Sequence, residues 1–432
     1  MAAGCDLVLT NVLLPGGRVA DVSVFRGKVC HVGARRTAGE IIDCRGMTVL
    51  PGAVDMHVHM RGRDQQYKED WASGSMSALA GGVTLVVDQP NTVPPLTTPE
   101  SFARRVAEAR DASWCHYAIN GGFVPGCDLL ALWRRGAMAF GEIFAAASSY
   151  AEGLSYADLR NVLGTVSTLG GLCTIHAEEV GAGPDTDLGS HHALRTPEGE
   201  AVSVQRVRDQ NDRGCRLHFC HLSCAESVSN AGNSTVEAAP HHLFLSLEEF
   251  DPSDARGKVN PPLRPDAVRR RLVSLWDRID VLASDHAPHT PAEKELPFMD
   301  APSGIPGVET MVPLALAFCR ERKIPLASLI EKTSIRPCEI LGLPRAGFQA
   351  GDRADFGVYP PGDVAIDADM LHSRAGWTPF EGKRAAFPVT VIMGGEVVYS
   401  EGTFTLGHPA WFPGRGFIGE ELPRNSADTA QP

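Results

Sequence analysis

Short apolar segments rich in β-branched residues alternate with helical segments through the middle of the chain. Eight segments have the length and composition of buried strands, and they are residues 54–58, 83–87, 116–120, 137–143, 173–176, 217–221, 235–239 and 281–284. The helices predicted between them include residues 71–80, 102–110, 156–168 and 202–210. This order predicts an α/β fold, a TIM-type (β/α)8 barrel. A doubly wound open sheet is the rival fold, and it is disfavoured because no glycine-rich phosphate loop follows the first strand.

The pattern changes at both ends of the chain, where short β-like runs surround tight turns. Hairpin signals occur at Arg26-Gly27 and at Gly394-Gly395. We therefore predict that the two chain ends, residues 1–50 and 347–412, form one small β-sandwich domain. Residues 51–346, which lie between them in the sequence, are predicted to form the barrel. Residues 413–432 are polar and rich in Gly and Pro, and we predict a flexible tail there.

Charge and composition exclude several classes of protein. The chain has 40 Lys and Arg against 52 Asp and Glu, and the resulting net charge of −12 disfavours binding to nucleic acid. No apolar run approaches the roughly 20 residues that span a bilayer, and the N-terminus lacks a signal-peptide pattern. Eleven cysteines are scattered without the spacing of a disulfide framework. We therefore expect a cytoplasmic protein with reduced thiols and no membrane association.

Metal-ligating residue types recur at the carboxyl ends of the predicted strands. In a barrel these ends meet at one rim, so residues far apart in sequence converge there. Strand alternation also places His57 and His59 on one face, where both can reach one ion. Imidazole and carboxylate groups together suit zinc or a similar divalent ion. Each residue alone has a structural alternative, a hydrogen-bonded side chain at a strand end. The candidate ligands are His57, His59, Glu142, His176, His221 and Asp285.

A second candidate zinc site is the segment CRLHFCHLSC, which contains Cys215, Cys220 and Cys224. The spacing has no C-x2-C knuckle, so it does not favour a structural zinc site. Alternation also directs Cys220 and His221 to opposite faces of a strand. We interpret these cysteines as small core residues.

Seven motifs follow one another along the chain: DMHVHMR (55–61), GGVTLVVDQPNT (81–92), HLSCAES (221–227), EAAPHHL (237–243), KVNPPLR (258–264), ASDHAPH (283–289) and SGIPGVET (303–310). At these seven places the sequence resembles the dihydroorotase family, whose members are cyclic amidohydrolases of the amidohydrolase superfamily. Single motifs are shared with allantoinases and hydantoinases, but the combination of HVHMR, PNT, NPPLR and DHAPH is typical of the dihydroorotase branch. The resemblance runs in order from about residue 49 to residue 351, and the β-rich ends match the family's accessory domain.

The resemblance implies a site with two Zn²⁺ per chain, held by His57, His59, His176, His221 and Asp285. It further implies that Arg61, Asn91 and His289 hold the substrate carboxylate and that Asn260 contacts the pyrimidine ring. An Arg fork matches a carboxylate, which supports the role of Arg61 in an acidic protein. The alternatives stay open. Arg61 could form a surface salt bridge, and Asn91 and Asn260 could form turns beside proline.

The implied reaction is the reversible cyclisation of N-carbamoyl-L-aspartate to L-dihydroorotate in pyrimidine biosynthesis, with a small molecule as partner. A bound metal would lower the pKa of water toward ~7, and Asp285 would shuttle the proton. An allantoinase or hydantoinase, or an inactive dihydroorotase-like subunit, is the alternative. Oligomeric state and association with an aspartate transcarbamoylase are left open.

One position departs from the family pattern. Many members bridge two metals with a carboxylated lysine on the fourth strand, but this chain has no lysine between Lys68 and Lys258. The corresponding segment is AMAFGEIF, at residues 137–144. We predict that Glu142 supplies the bridging or supporting carboxylate. The alternative is a rim residue in a salt bridge.

Overall fold

The computed structural model describes residues 4–145 and 153–419. The strands before the barrel are β1 (Cys5–Leu13), β2 (Val19–Phe25), β3 (Lys28–Gly33), β4 (Ala38–Asp43) and β5 (Thr48–Pro51). The barrel strands are β6 (Ala53–Val58), β7 (Val83–Asp88), β8 (His116–Ile119), β9 (Phe140–Phe144), β10 (Leu172–His176), β11 (Arg216–Phe219), β12 (Thr235–Ala238) and β13 (Val281–Leu282). The later strands are β14 (Phe356–Tyr359), β15 (Val364–Ala365), β16 (Arg384–Ala385), β17 (Thr390–Met393), β18 (Glu396–Ser400) and β19 (Thr403–Phe404).

The helices lie mainly between the barrel strands and after them. They are α1 (Trp71–Ala80), α2 (Pro99–Ala112), α3 (Leu129–Arg134), α4 (Tyr156–Leu169), α5 (Leu188–Leu194), α6 (Pro197–Gln210), α7 (Ala225–Asn230), α8 (Pro240–Phe244), α9 (Asp266–Ser274), α10 (Pro291–Lys294), α11 (Met311–Arg322), α12 (Leu326–Ile330) and α13 (Arg336–Leu341). A π-helical turn, Glu331–Ile335, joins the last two. Within the described ranges, none of these helices has the length and apolar character needed to cross a membrane.

The eight middle strands form a closed parallel barrel. Strands β6, β7 and β8 pair in order, and so do β9 to β13. Two parallel bridges join the two groups, Gly121 with Phe140 on one side and Val58 with His286 on the other. All carboxyl ends therefore meet at one rim, as expected for a barrel of this type.

Both chain ends build the β-sandwich. One sheet has the order β3-β2-β1-β4, and the second has the order β19-β18-β17-β14-β5, so N-terminal β5 pairs with C-terminal β14. Apolar side chains from both sheets form one buried core that includes Leu7, Val22, Phe356 and Ile392. The predicted fold class is confirmed in both parts.

Some element boundaries differ from the predicted ones for local reasons. The last barrel strand was predicted to reach residue 284, but β13 ends at Leu282. The backbone N–H of Ser284 donates to the Asp55 carboxylate (3.0 Å), which takes it out of the strand ladder. Helix α6 begins at Pro197, earlier than predicted, because Thr196 caps it and accepts from the Gly199 N–H (3.0 Å).

The segment predicted as a flexible tail lies partly within the described residues. The Gly414 N–H donates to the Gly136 carbonyl (2.9 Å), and the Phe417 ring contacts Trp411. Residues 420–432 lie outside the described residues. The domain boundaries themselves stay a prediction.

Candidate metal centre and substrate pocket

A pocket of about 410 Å³ opens at the carboxyl-terminal rim of the barrel. Most of the residues singled out in the sequence line it. His57 is buried beneath the lining, and His289 lies behind it. The lining includes His59, Arg61, Asn91, Glu142, His176, His221, Asn260 and Asp285.

The first cluster in this pocket consists of His57, His59 and Asp285. Asp285 Oδ1 lies 3.3 Å from His59 Nε2 and 3.6 Å from His57 Nε2. The two histidines of the H-x-H pair therefore reach the same carboxylate, as strand alternation predicts. All three residues are buried.

The second cluster surrounds Glu142 on β9. Its Oε1 lies 2.6 Å from His176 Nδ1 and 3.0 Å from His221 Nε2. Its Oε2 lies 3.7 Å from His57 Nε2, so His57 stands between the two clusters. Glu142 thus contacts three histidines of the two clusters.

Backbone conformation directs three of these side chains into the pocket. Arg61, His221 and Asp285 have φ values of 44°, 32° and 47°. This left-handed region is costly for residues other than glycine and recurs at functional sites. The sequence pattern has no signal for it, because none of the three positions is a glycine or an asparagine.

Hydrogen bonds lower the pKa values of both carboxylates. Burial acts to raise the pKa of Asp285, but the hydrogen bond from His59 and the nearby His57 and His221 outweigh it and lower the pKa to about 2. Burial is likewise outweighed at Glu142, where contacts with His176, His221 and His57 hold the pKa well below its usual range. Two ionised carboxylates therefore face one another across His57, and such an arrangement attracts cations.

The pKa values of two histidines, His176 and His57, shift in the opposite direction, upward. Burial acts to lower the pKa of His176, but the hydrogen bonds to Glu142 and Glu178 raise it to about 9. At His57, burial is outweighed by the charge of Glu237, which raises the pKa well above its usual value. These imidazoles therefore hold positive charge in the form of protons, which a metal ion displaces when it binds.

The donor set fits a divalent metal. The ligand atoms of His57, His59 and Asp285 lie within 4.8 Å of one another, and so do those of His57, Glu142 and His221. His57 Nε2 and His221 Nδ1 are buried without a hydrogen-bond partner among the described residues. Buried polar atoms of this kind need a partner, and imidazole with carboxylate is a donor set typical of zinc.

Two buried carboxylates behind the clusters were not singled out in the sequence. Glu237 accepts from His57 Nδ1 (2.8 Å), and Glu178 lies 2.7 Å from His176 Nε2. Such groups commonly orient metal-ligating histidines. Glu237 is the first residue of the EAAPHHL motif, and this is the only feature of the sequence that points to it.

Of the proposed carboxylate-binding residues, Arg61 lines the pocket and His289 contacts Arg61 from behind the lining. His289 accepts at Nδ1 from Lys68 Nζ (3.2 Å), because an ammonium group can only donate. Its Nε2 then donates to the Ser303 carbonyl (3.1 Å) and lies 3.4 Å from Arg61 Nη2. Burial lowers the pKa of His289 to about 3. The structure therefore places a neutral His289 against Arg61, outside the pocket lining.

The two asparagines line the pocket in different ways. Asn91 Nδ2 lies 3.4 Å from Glu142 Oε2, next to the second cluster. Asn260 Oδ1 is 2.9 Å from His191 Nε2 and accepts from Ser303 Oγ (3.3 Å). These bonds fix the orientation of the Asn260 amide.

Three proteins that are similar in sequence to this chain are dihydroorotases. The chain is 39% identical to the dihydroorotase of Methanosarcina acetivorans, an alignment that covers 92% of this chain and 91% of the relative. It is also 39% identical to the dihydroorotase of Halobacterium salinarum, with 92% and 97% covered. The dihydroorotase of Pyrococcus furiosus is 34% identical, with 92% and 93% covered. This chain belongs to the dihydroorotase family. It matches no protein-family model.

Solved structures place this dihydroorotase family member among the cyclic amidohydrolases. The L-hydantoinase of Arthrobacter aurescens superposes with a TM-score of 0.87 at 26% identity, covering 95% of this chain and 100% of that one. The dihydropyrimidinase of Brevibacillus agri superposes with a TM-score of 0.84 at 24% identity, covering 96% and 99%. The second likeness shows the fold alone. The dihydroorotase relatives and the L-hydantoinase likeness together support a cyclic amide hydrolase.

Proposed function

We propose that this chain is a dihydroorotase, which catalyses the reversible cyclisation of N-carbamoyl-L-aspartate to L-dihydroorotate. The observation that carries the proposal is the presence of Arg61 in the same pocket as the histidine–carboxylate clusters. A substrate with both a ring amide and a carboxylate needs these two features together. Hydantoin has no carboxylate for an arginine to bind.

The metal centre is proposed to hold two zinc ions. His57, His59 and Asp285 would hold one ion, and Glu142, His176 and His221 would hold the second. Ions bound there would polarise the ring carbonyl and lower the pKa of a water molecule. Glu142 would replace the carboxylated lysine of other members, because its carboxylate lies between His57, His176 and His221.

Asp285 is proposed to move the proton. Its carboxylate lines the pocket, and its low pKa keeps it ionised at neutral pH. In hydrolysis it would accept a proton from water as the oxygen adds to the ring carbonyl carbon. As the carbon–nitrogen bond breaks, it would return that proton to the leaving ring nitrogen. In the biosynthetic direction the same residue begins as the acid.

Arg61 and the two asparagines are proposed to orient the substrate. The Arg61 guanidinium would pair with the carboxylate in a two-bond fork. Asn260 has its oxygen occupied by His191 and Ser303, so its NH₂ group would donate to the ring. His289 would act mainly by supporting Arg61, because it lies behind the lining and its ring nitrogens already have partners.

The test compares three substrates on one preparation of the full chain. Zinc content is measured by mass spectrometry, and turnover is followed on dihydroorotate, allantoin and hydantoin. We expect kcat/KM to be highest for dihydroorotate and to require the metal. A higher kcat/KM for hydantoin or allantoin would contradict the assignment, and zinc-loaded protein without turnover on any of the three would favour an inactive subunit.

A further inference from the structure

Glu237 is a buried carboxylate on β12 that touches two of the proposed ligands without lining the pocket. The residue is 1% exposed. Its Oε1 accepts from His57 Nδ1 (2.8 Å) and from the backbone N–H of His221 (2.9 Å). Its Oε2 lies 3.0 Å from His218 Nε2. One side chain therefore connects three histidines behind the metal centre.

The contact with His57 fixes which nitrogen of that ring faces the pocket. An ionised carboxylate only accepts hydrogen bonds, so His57 Nδ1 carries the proton in this pair. Nε2 is then the nitrogen that offers a lone pair once a metal ion displaces its proton, and it lies 3.7 Å from Glu142 Oε2 and 3.6 Å from Asp285 Oδ1. Glu237 thus holds His57 in the tautomer that a metal needs.

The contact with His221 supports an unfavourable backbone conformation. His221 has a φ of 32°, which L residues rarely adopt. The Glu237 side chain accepts from the His221 N–H, and the Glu237 carbonyl accepts from the Leu222 N–H (2.9 Å). The turn that presents the His221 ring to Glu142 is therefore held from the neighbouring strand.

We propose that Glu237 is a positioning residue that sets the zinc affinity of the metal centre through His57 and His221. This inference rests on the proposed function, because it assumes that those two histidines bind metal. A competing interpretation makes Glu237 a ligand itself, since its ligand atom lies within 4.8 Å of those of His57 and Cys220. The 2.8 Å hydrogen bond between Glu237 Oε1 and His57 Nδ1 favours the positioning role, because a metal ion between these two atoms would require that bond to break.

The test is a competition titration of the metal-free full chain with Zn²⁺ and a chelator. Glu237→Gln keeps the size of the side chain but removes its charge, so its bond to His57 is weaker. We expect the zinc Kd to rise roughly 10- to 100-fold, the range found when outer-shell partners are lost. Glu237→Asp keeps the charge at a shorter reach, and we expect its Kd to lie between those of Glu237→Gln and the wild type.

Glu309 provides a matched control. It is also a buried carboxylate, 4% exposed, and it lies 2.7 Å from a histidine nitrogen, His372 Nδ1, and accepts from the His372 N–H (2.8 Å). Glu309→Gln reproduces the loss of a buried charge away from the proposed ligands. We expect its zinc Kd to match the wild type, and circular dichroism checks that each variant folds.

Each outcome has a defined meaning. A Glu237→Gln variant with wild-type zinc affinity overturns the inference alone. A Cys220→Ser variant with weakened affinity overturns it as well, because the thiol would then be a ligand beside Glu237. A wild-type chain that does not bind zinc overturns the proposed function, and the inference falls with it.

Discussion

The floor of the pocket and its wall are built differently. The floor consists of His57, His59, Glu142, His176, His221 and Asp285. The wall consists of Arg61, Asn91 and Asn260, together with His289 behind Arg61. Floor residues lie at the ends of barrel strands and mainly contact one another, with Glu142 touching three histidines. Wall residues lie in loops and are supported separately, as Asn260 is by His191 and Ser303.

This difference indicates how the two parts respond to substitution. In the floor, the loss of one side chain leaves buried charged partners without their counterpart, so effects on metal binding and catalysis are coupled. In the wall, the loss of Arg61, Asn91 or Asn260 mainly removes a proposed contact with the substrate, and the loss of His289 removes a side chain that supports Arg61. We therefore expect substitutions in the floor to change metal binding and catalysis together and by large amounts. Substitutions in the wall are expected to have smaller effects, on substrate binding rather than on metal binding.

The largest effect is expected at Asp285. Asp285→Ala removes both the proposed proton shuttle and a neighbour of His57 and His59, so we expect kcat for dihydroorotate to fall below a few per cent of wild type. Steady-state kinetics with parallel zinc analysis measure this. Asp285→Asn is the control of equal size. An Asp285→Ala variant that keeps more than a few per cent of kcat would exclude an obligatory shuttle.

The next effect concerns Glu142. Glu142→Ala removes negative charge from between two proposed cations, and we expect about one zinc in place of two and the loss of most activity. Glu142→Asp, one methylene shorter, is expected to bind the second ion loosely. Added bicarbonate is expected to leave the wild-type rate unchanged, because there is no lysine to carboxylate. Unchanged zinc content and rate in Glu142→Ala would show that Glu142 is not a ligand.

A smaller effect on the wall is expected from Arg61. Arg61→Ala is expected to lower kcat/KM for dihydroorotate on the order of 100-fold, as is typical for loss of a charge-assisted contact, with zinc content near wild type. Arg63→Ala is a matched control, because Arg63 is a nearby arginine that pairs with Glu108. Loss of zinc in Arg61→Ala would contradict the separation between floor and wall, and full activity would contradict its role in binding.

The smallest effect is expected from His289. His289→Asn removes the ring that contacts Arg61, Lys68 and the Ser303 carbonyl, but in the proposed arrangement it removes no direct contact with the substrate. We therefore expect KM to rise a few-fold, within roughly 1 kcal/mol. Since burial lowers the His289 pKa to about 3, we expect a neutral ring at both pH 6 and pH 8. The ratio of variant to wild-type KM is therefore expected to be the same at pH 6 and pH 8. A ratio that grows toward low pH would show that a protonated His289 binds the substrate carboxylate directly.

The sequence determined the barrel, the sandwich formed by the chain ends and the meeting of the floor residues at one rim of the barrel. Strand spacing is a local property, and parallel strands in a barrel end at one rim, so His57 and Asp285 could be placed together although they are 228 residues apart. The motifs also indicated the family correctly. The roles of the individual residues stay predictions.

Only the tertiary structure decided which atoms meet. The contact of Glu142 with three histidines, the position of His289 behind Arg61 and the support from Glu237 depend on distances between strands and loops. The positive φ of His221 depends on hydrogen bonds from β12. A sequence pattern records on which face of a strand a side chain lies, but distances across a barrel follow from its closure and packing. For that reason the sequence could predict that the floor residues lie together, but it could not predict which buried side chains support them.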